Sequence, residues 1–366
     1  MFAGCAHRYQ LGMIKGWRPR ENGIDVAFGS WVHLGIETFY RMVIENGMSH
    51  DDALKRACLA VIEASWRVEV DPNDPTCPPQ EGPMFGQYLD AWHCLGDVKG
   101  YKNEKGNPAK CPYSHVGKFF DGHGPDRCGK CGGTIERVTR WVPESKAKDR
   151  YNALRAVAWY VDEMRDSHLK PVSIGSVPLV ECHATVHGTD DEGRPFKFVM
   201  NFDAIKAFGD ELFIADYKTT GMTMGKLYFS RFQPNMQADA YGALAPLARL
   251  RGFEEMALLE GISGVVIEGM QVLVSGVRFG AQLFRMPDAY KKEVQEDIVR
   301  DINLAWAYAE KLGPDVAWPR NRSACTLCPF KIVCAAAPEH REAILAEHFE
   351  RRRWNPVTRT AEEIPG

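Results

Sequence analysis

Residues 201–220 read NFDAIKAFGDELFIADYKTT, and the reading of this stretch decides the fold. Two runs rich in apolar and aromatic residues flank Gly209-Asp210, a pair suited to a tight two-residue connection. Strands are predicted over Lys197–Ala207 and Glu211–Thr219, so a short hairpin brings Asp203 and Asp216 near one another at the same end of a sheet. Residues i and i+2 of a strand share a face, which places Lys218 beside Asp216. Two converging carboxylates suit a hard divalent cation. A lysine next to them can orient or deprotonate a water and stabilise charge developing on a phosphate. Alone, Asp-x-Lys is a common tripeptide on exposed strand ends.

Outward from the hairpin, a strand is predicted over Val172–Val186 and carries Glu181, which adds a carboxylate to the site or stands exposed at an edge. Pro234 sits near the start of a helix running from Asn235 to about Leu250. Gln237 and Tyr241 lie one turn apart on it and share a face, as ordinary packing residues also would. Strands follow at Val265–Ile267 and Met270–Val277, then a helix over Asp288–Lys311 and a charged helical tail. Upstream, Cys5 to about Trp17 is helical or turn-like. Apolar positions at helical spacing run from Gly29 to Ile44, and His33 on that helix reads, by itself, as a packed core histidine. Ser49 and Asp52 form a capping box for a helix reaching about Val68. Asp71–Pro83 reads as a loop, Gly96–Glu144 as an insertion poor in aliphatic residues, and Tyr151–Ser167 as a helix. The expected division is 1–70, an N-terminal helical part; 71–150, the insertion; 151–320, an α/β core; and 321–366, a cysteine cluster with its tail.

The chain has 366 residues, 45% hydrophobic and 25% charged, with a net charge of −3. That is ordinary globular composition with ample material for a core, and it argues against a generic basic nucleic-acid coat. No run of about 18 apolar residues occurs, and a secretory leader pattern is missing, so no membrane association and a cytoplasmic location are expected. Arg18, Arg20, Arg320, Arg322 and Arg351–Arg353 are candidate phosphate contacts, though each alone reads better as solvated surface. Gly221–Leu227 (GMTMGKL) is one residue short of a phosphate-binding loop and lacks its Ser/Thr, which excludes a fused motor domain.

Eleven cysteines in a chain of this size read as metal ligands in a reducing compartment. Cys325, Cys328 and Cys334 form C-x2-C-x5-C, with Cys5 a distant candidate partner; the spacing fits zinc or an iron–sulfur cluster. Cys128-Gly-Lys-Cys131 looks like a zinc knuckle, with Cys111 and His115 completing four ligands, or His93 or Cys94 in substitution. Cys58, Cys77 and Cys182 have no paired spacing and read as small apolar residues.

Taken together, the motifs resemble the PD-(D/E)XK nuclease superfamily, in its RecB-like branch, which includes the CRISPR-associated iron–sulfur exonucleases and the AddB nuclease domain. Cys5-Ala-His-Arg-Tyr-Gln10, Gly29-Ser-Trp-Val-His33, Asp203, Asp216-Tyr-Lys218, Gln237-x3-Tyr241 and the terminal cysteines follow that branch's order; residues 70–150 lie outside the resemblance. It implies a mixed sheet flanked by helices, with His33, Asp203 and Asp216 as ligands to Mg2+ or Mn2+, and Lys218, Gln237 and Tyr241 at the reacting site. It also implies a [4Fe–4S] cluster on Cys5, Cys325, Cys328 and Cys334. The expected function is a metal-dependent DNA exonuclease acting on single-stranded ends, alone or with a helicase, recombination or CRISPR partner. Its setting would be repair, recombination, phage DNA processing or CRISPR adaptation. The competing expectation is a non-catalytic DNA-binding or assembly factor of the same fold.

Overall fold

Gly209 at φ +59° supplies the left-handed backbone that the first central residue of a type II′ hairpin turn requires. Phe208 pairs with Glu211 across it, and the ladder runs back to Ala204↔Ala215. The structure, a computed structural model, describes residues 4–20, 23–69, 80–95, 102, 111, 118–119, 127–128, 130–254, 257–326, 328–355 and 360–363. These fall into two units, Met1–Glu63 with Tyr151–Gly366, and Ala64–Arg150.

The first unit is built on a seven-stranded sheet. Its strands are β1 (Leu169–Pro171), β2 (Val180–Thr189), β3 (Pro195–Phe208), β4 (Glu211–Thr220), β5 (Arg249–Leu250), β6 (Ile262–Leu273) and β7 (Gly276–Arg285). The order is β5-β2-β3-β4-β6-β7, with β1 joining the end of β3. Only β4 and β6 run parallel; the other neighbours are antiparallel, so the sheet is mixed. The single strand Ile262–Leu273 replaces the two expected pieces, since Glu268 and Gly269 stay in register with Tyr217 and Lys218 rather than breaking the ladder.

Five longer helices accompany it: α1 (Ile24–Ile44), α2 (His50–Ala64), α3 (Arg150–Arg165), α4 (Met236–Leu244) and α5 (Asp288–Leu312). Ala238 and Leu244 of α4 pack with Phe202, Ile205, Ile214, Val265 and Ile267 on one face of the sheet. Tyr40 of α1 and Tyr160 of α3 meet Lys206 from the other. At Gly35 a Cβ would stand 2.5 Å from Val157 and 2.9 Å from Val61, so glycine lets α1 close on α2 and α3. Ser49 Oγ accepts the Asp52 N–H at 3.2 Å, the expected cap, but α2 ends at Ala64, where the strand Trp66–Glu69 begins. Likewise α4 is shorter than expected, because Pro246 stands in the short turn Ala245–Leu247 that follows it.

The chain ends are sewn together. One α turn, Ala6–Tyr9, widens into a π turn, Gln10–Ile14. Gln10 is buried and donates to the carbonyls of Pro314 and Val316 at 2.8 and 2.7 Å, while its Oε1 accepts the Trp318 N–H. Trp17–Pro19 pairs with Phe349–Asn355, so part of the expected helical tail is strand: the helix Arg341–His348 stops where Phe349 turns inward to stack on Phe330.

The Ala64–Arg150 unit is itself β-rich. Gly86–Cys94 pairs with Ile135–Pro143 and with Lys118–Phe119, and Trp66–Glu69 pairs with Gln80–Pro83, within what was expected to be a loop.

Lys206 is fully buried, 2.6 Å from Glu268 and 2.8 Å from the Tyr160 hydroxyl, with Tyr217 among the rings around it. Burial and the Glu268 charge push the Tyr160 and Tyr217 phenols well above their ordinary range. Removing one member of such a pair leaves the other charge uncompensated, at a cost of about 3–5 kcal/mol. Lys206→Met is therefore expected to lower the denaturation midpoint strongly, and Lys206→Met with Glu268→Gln to recover most of the loss. Equal midpoints for the parent and the single variant would show that the pair contributes nothing.

Candidate metal centre

The ladder between β3 and β4 stops at Ala204↔Ala215, while β4 stays paired to β6 as far as Thr220↔Gln271. The strands fork there, and Asp203 fills the fork: its Oδ2 accepts the Tyr217 N–H that β3 no longer satisfies. Asp203 Oδ1 faces His33 Nδ1 at 3.1 Å. Glu181 approaches the same nitrogen at 3.7 Å, and ligand atoms of His33, Glu181 and Asp203 all lie within 4.8 Å of one another.

Two local features aim these groups. The β2–β3 register passes from Val180↔Ala204 to Cys182↔Phe202, and Glu181 between them adopts φ +47°, a left-handed backbone costly for a residue with a Cβ. Such an outlier persists only where its surroundings hold it, commonly at working sites. On α1, the other ring nitrogen of His33 lies 3.1 Å from the Tyr217 carbonyl. A carbonyl on Nε2 fixes the ring so that Nδ1 is the atom facing the carboxylates, the usual support of a metal-ligating histidine. Burial works against a charged ring here, but Asp203 and Glu181 outweigh it and raise His33 from 6.5 to about 10.

Asp216 stands beside this triad and is gripped by its own lysine. Lys218 Nζ lies 2.9 and 2.7 Å from the two Asp216 oxygens. Burial pushes the Asp216 carboxyl above its usual range; Lys218 pulls it back, and the Asp203 charge adds to the rise. Of the expected ligands, His33, Glu181 and Asp203 come together, while the close partner of Asp216 is the Lys218 ammonium. From α4, where the Asn235 side chain caps the first N–H groups, Gln237 Oε1 comes within 3.4 Å of Lys218 Nζ. Gln237 donates to Tyr241 Oη at 3.2 Å, and Tyr241 donates to the Asn201 carbonyl. The relay ties the lysine to β3.

One imidazole and the carboxylates of Glu181 and Asp203 make an oxygen-rich donor set, which fits a hard divalent ion; Asp216 lies outside this convergent group, held by Lys218. The sequence could not show the Tyr217 carbonyl or the twist at Glu181, since both are backbone properties.

At the chain ends, Cys5 precedes the Ala6–Tyr9 turn and its Sγ lies 3.5 Å from the Asn321 N–H, while Cys325 Sγ lies 3.8 Å from the Asn321 carbonyl. Burial pushes the Cys334 thiol up, and Cys328, Cys325 and Cys5 are near enough to add to it. Cys5 and Cys325 thus both approach Asn321, one at its N–H and the other at its carbonyl. Asn321, which also donates to the Gly4 carbonyl at 3.0 Å, went unnoticed in the sequence.

In the Ala64–Arg150 unit, Cys94, Cys111, Cys128 and Cys131 form a buried group that could hold a metal ion. Cys94 takes the place that His115 was expected to fill; His115 lies outside the described residues. Burial would raise the Cys128 thiol, but N–H groups of Lys130 and Cys131 and the neighbouring thiols hold it at about 7.

No family model matches the chain, and no curated protein matches it. Among the described residues, no helix is long and apolar enough to cross a membrane.

The raised His33 value sets a sign for metal binding. Below about 10 the ring keeps its second proton, so a cation bound through Nδ1 must displace it. Calorimetric titration with Mn2+ in buffers of different ionisation enthalpy is expected to show proton release, with affinity rising by up to about tenfold per pH unit and levelling off toward pH about 10. His33→Gln should abolish that slope; an unchanged slope would remove His33 from the ligand set.

Proposed function

We propose that this chain is a metal-dependent deoxyribonuclease of the PD-(D/E)XK type, cutting DNA with Mg2+ or Mn2+, with single-stranded ends as its substrate. The observation that carries this reading is the meeting of His33 and Glu181 with Asp203 in the β3–β4 fork, one strand position from Asp216 and its lysine. A bound divalent ion would supply a Lewis acid for the phosphoryl oxygen and a more acidic water. His33, Glu181, Asp203 and Asp216 would hold it.

Lys218 acts from the other side. Its contact with the Asp216 carboxylate and its approach to Gln237 restrain it, so the ammonium is held ready to orient the attacking water and to meet charge growing on the phosphate. Tyr241 accepts from Gln237 and donates to the Asn201 carbonyl, so its role is positioning. None of these steps needs a covalent nucleophile. A [4Fe–4S] cluster on Cys5, Cys325, Cys328 and Cys334 would brace the chain ends.

End-labelled single- and double-stranded DNA, incubated with each metal in turn, is expected to be degraded only when divalent cation is added. Asp216→Ala and Lys218→Ala should each lower the rate by about a thousandfold or more, as loss of a main electrostatic group does, while DNA retention in a filter assay persists. A parent protein that binds DNA and never cuts it would instead establish the non-catalytic binding or assembly role. Protein purified without oxygen should be brown, with the broad visible absorbance of thiolate-bound iron. Zinc without iron at Cys5, Cys325, Cys328 and Cys334 would remove the cluster from the proposal.

A further inference from the structure

The nuclease reading makes no use of the Ala64–Arg150 unit, and the chemistry there stands by itself. Cys94 ends the strand Gly86–Cys94, and Cys128 and Cys131 bracket a tight turn. Cys94 Sγ lies 3.3 Å from Cys131 Sγ, and Cys111 Sγ lies 3.7 Å from Cys128 Sγ. All four sulfurs fall within 4.8 Å of one another. One tetrahedral ion bonded at ~2.3 Å to each thiolate places its sulfurs roughly 3.8 Å apart. Disulfides would need about 2.05 Å, and a multi-iron cluster would spread the thiolates further.

The turn is shaped for the same task. Gly132 adopts φ +73° and donates to the Cys128 carbonyl at 2.6 Å, while Cys128 donates to the Gly133 carbonyl at 2.9 Å. The Gly133 N–H then points at Cys131 Sγ, 3.4 Å away, a backbone donor of the kind that supports a thiolate.

The packing adds an independent argument. Among the described residues of this unit, the buried hydrophobic side chains are Cys94, Cys111 and Cys128, with Cys131 and Ile135 against them. Among the described side chains of this unit, thiols therefore make up most of the buried apolar material, and domains of under a hundred residues commonly depend on staples.

We infer that Cys94, Cys111, Cys128 and Cys131 bind a single zinc ion through four sulfurs, and that the Ala64–Arg150 unit holds its fold only with that ion in place. Four sulfurs around one centre suit zinc, which imposes no redox chemistry, and they leave no coordination place for His115. The binding energy of such an ion is folding energy, because no preformed site exists in the unfolded chain.

The full chain, purified under reducing conditions, tests this by metal analysis and limited proteolysis. One zinc per chain is expected to persist in Cys325→Ser, Cys58→Ser and His115→Ala and to be lost in Cys94→Ser and Cys128→Ser. Cobalt(II) exchanged into the site should show intense thiolate-to-cobalt charge transfer and the long-wavelength bands of tetrahedral coordination, unchanged in His115→Ala. Because the cysteine variants could fail to fold altogether, the parent chain carries the second arm. Stripping its zinc with a mercurial and a chromogenic chelator should speed cleavage between residues 64 and 150 by roughly tenfold or more, and re-added zinc should restore protection. Zinc missing from Cys325→Ser, zinc lost with His115→Ala, iron or disulfides in place of zinc, or equal proteolysis with and without the ion would each overturn the inference.

Discussion

A carboxylate does the work of a strand at the point where β3 and β4 part. Without Asp203 the Tyr217 N–H would face a low-dielectric interior unsatisfied, which costs on the order of 1–3 kcal/mol. With it, the parting becomes a cradle: one oxygen secures β4, and the other is left to face His33. Tyr217 also presents its own carbonyl to the other nitrogen of the imidazole, so β4 positions the histidine as well as the acid-lysine pair. The candidate site is therefore a consequence of how the sheet divides, and the buried Lys206–Glu268 pair stiffens the strands behind it.

Much of this was legible in the sequence because the signals were local. The hairpin announces itself through Gly209-Asp210, the cap of α2 through Ser49 and Asp52, and the lysine's position through the two-residue period of a strand. The role of Glu181 could not be settled that way: whether it meets His33 depends on a backbone twist that no composition encodes. Lys206 and Glu268 were passed over for a related reason. Each looks like an ordinary solvated charge, and only the register of three strands and a tyrosine from α3 shows that they are buried together. Cys94 was one of several possible partners for the knuckle, since a ligand arriving from a separate strand has no fixed spacing to Cys128. The short turn after α4 and the terminal strand Phe349–Asn355 show tertiary contacts overriding local helical pattern.

The two groups of sulfur ligands sit in contrasting surroundings. At the chain ends, Gln10 fills the gap between two segments with three hydrogen bonds, and Leu11, Phe330, Val333, Leu345 and Phe349 pack beside it, so an apolar core already joins the termini around the cysteines. In the Ala64–Arg150 unit, the thiols are prominent among the described buried side chains. An ion at the first place would reinforce a structure that has other means of closing; at the second it would bind directly to buried side chains.

The left-handed twist at position 181 also narrows what that site can tolerate over evolutionary time. Glycine would relax the backbone yet bring no oxygen; asparagine and aspartate accept such angles readily but reach one methylene less toward the imidazole. Position 181 thus trades comfort for reach, and drift there should be confined to side chains that can bear the twist and still span the gap.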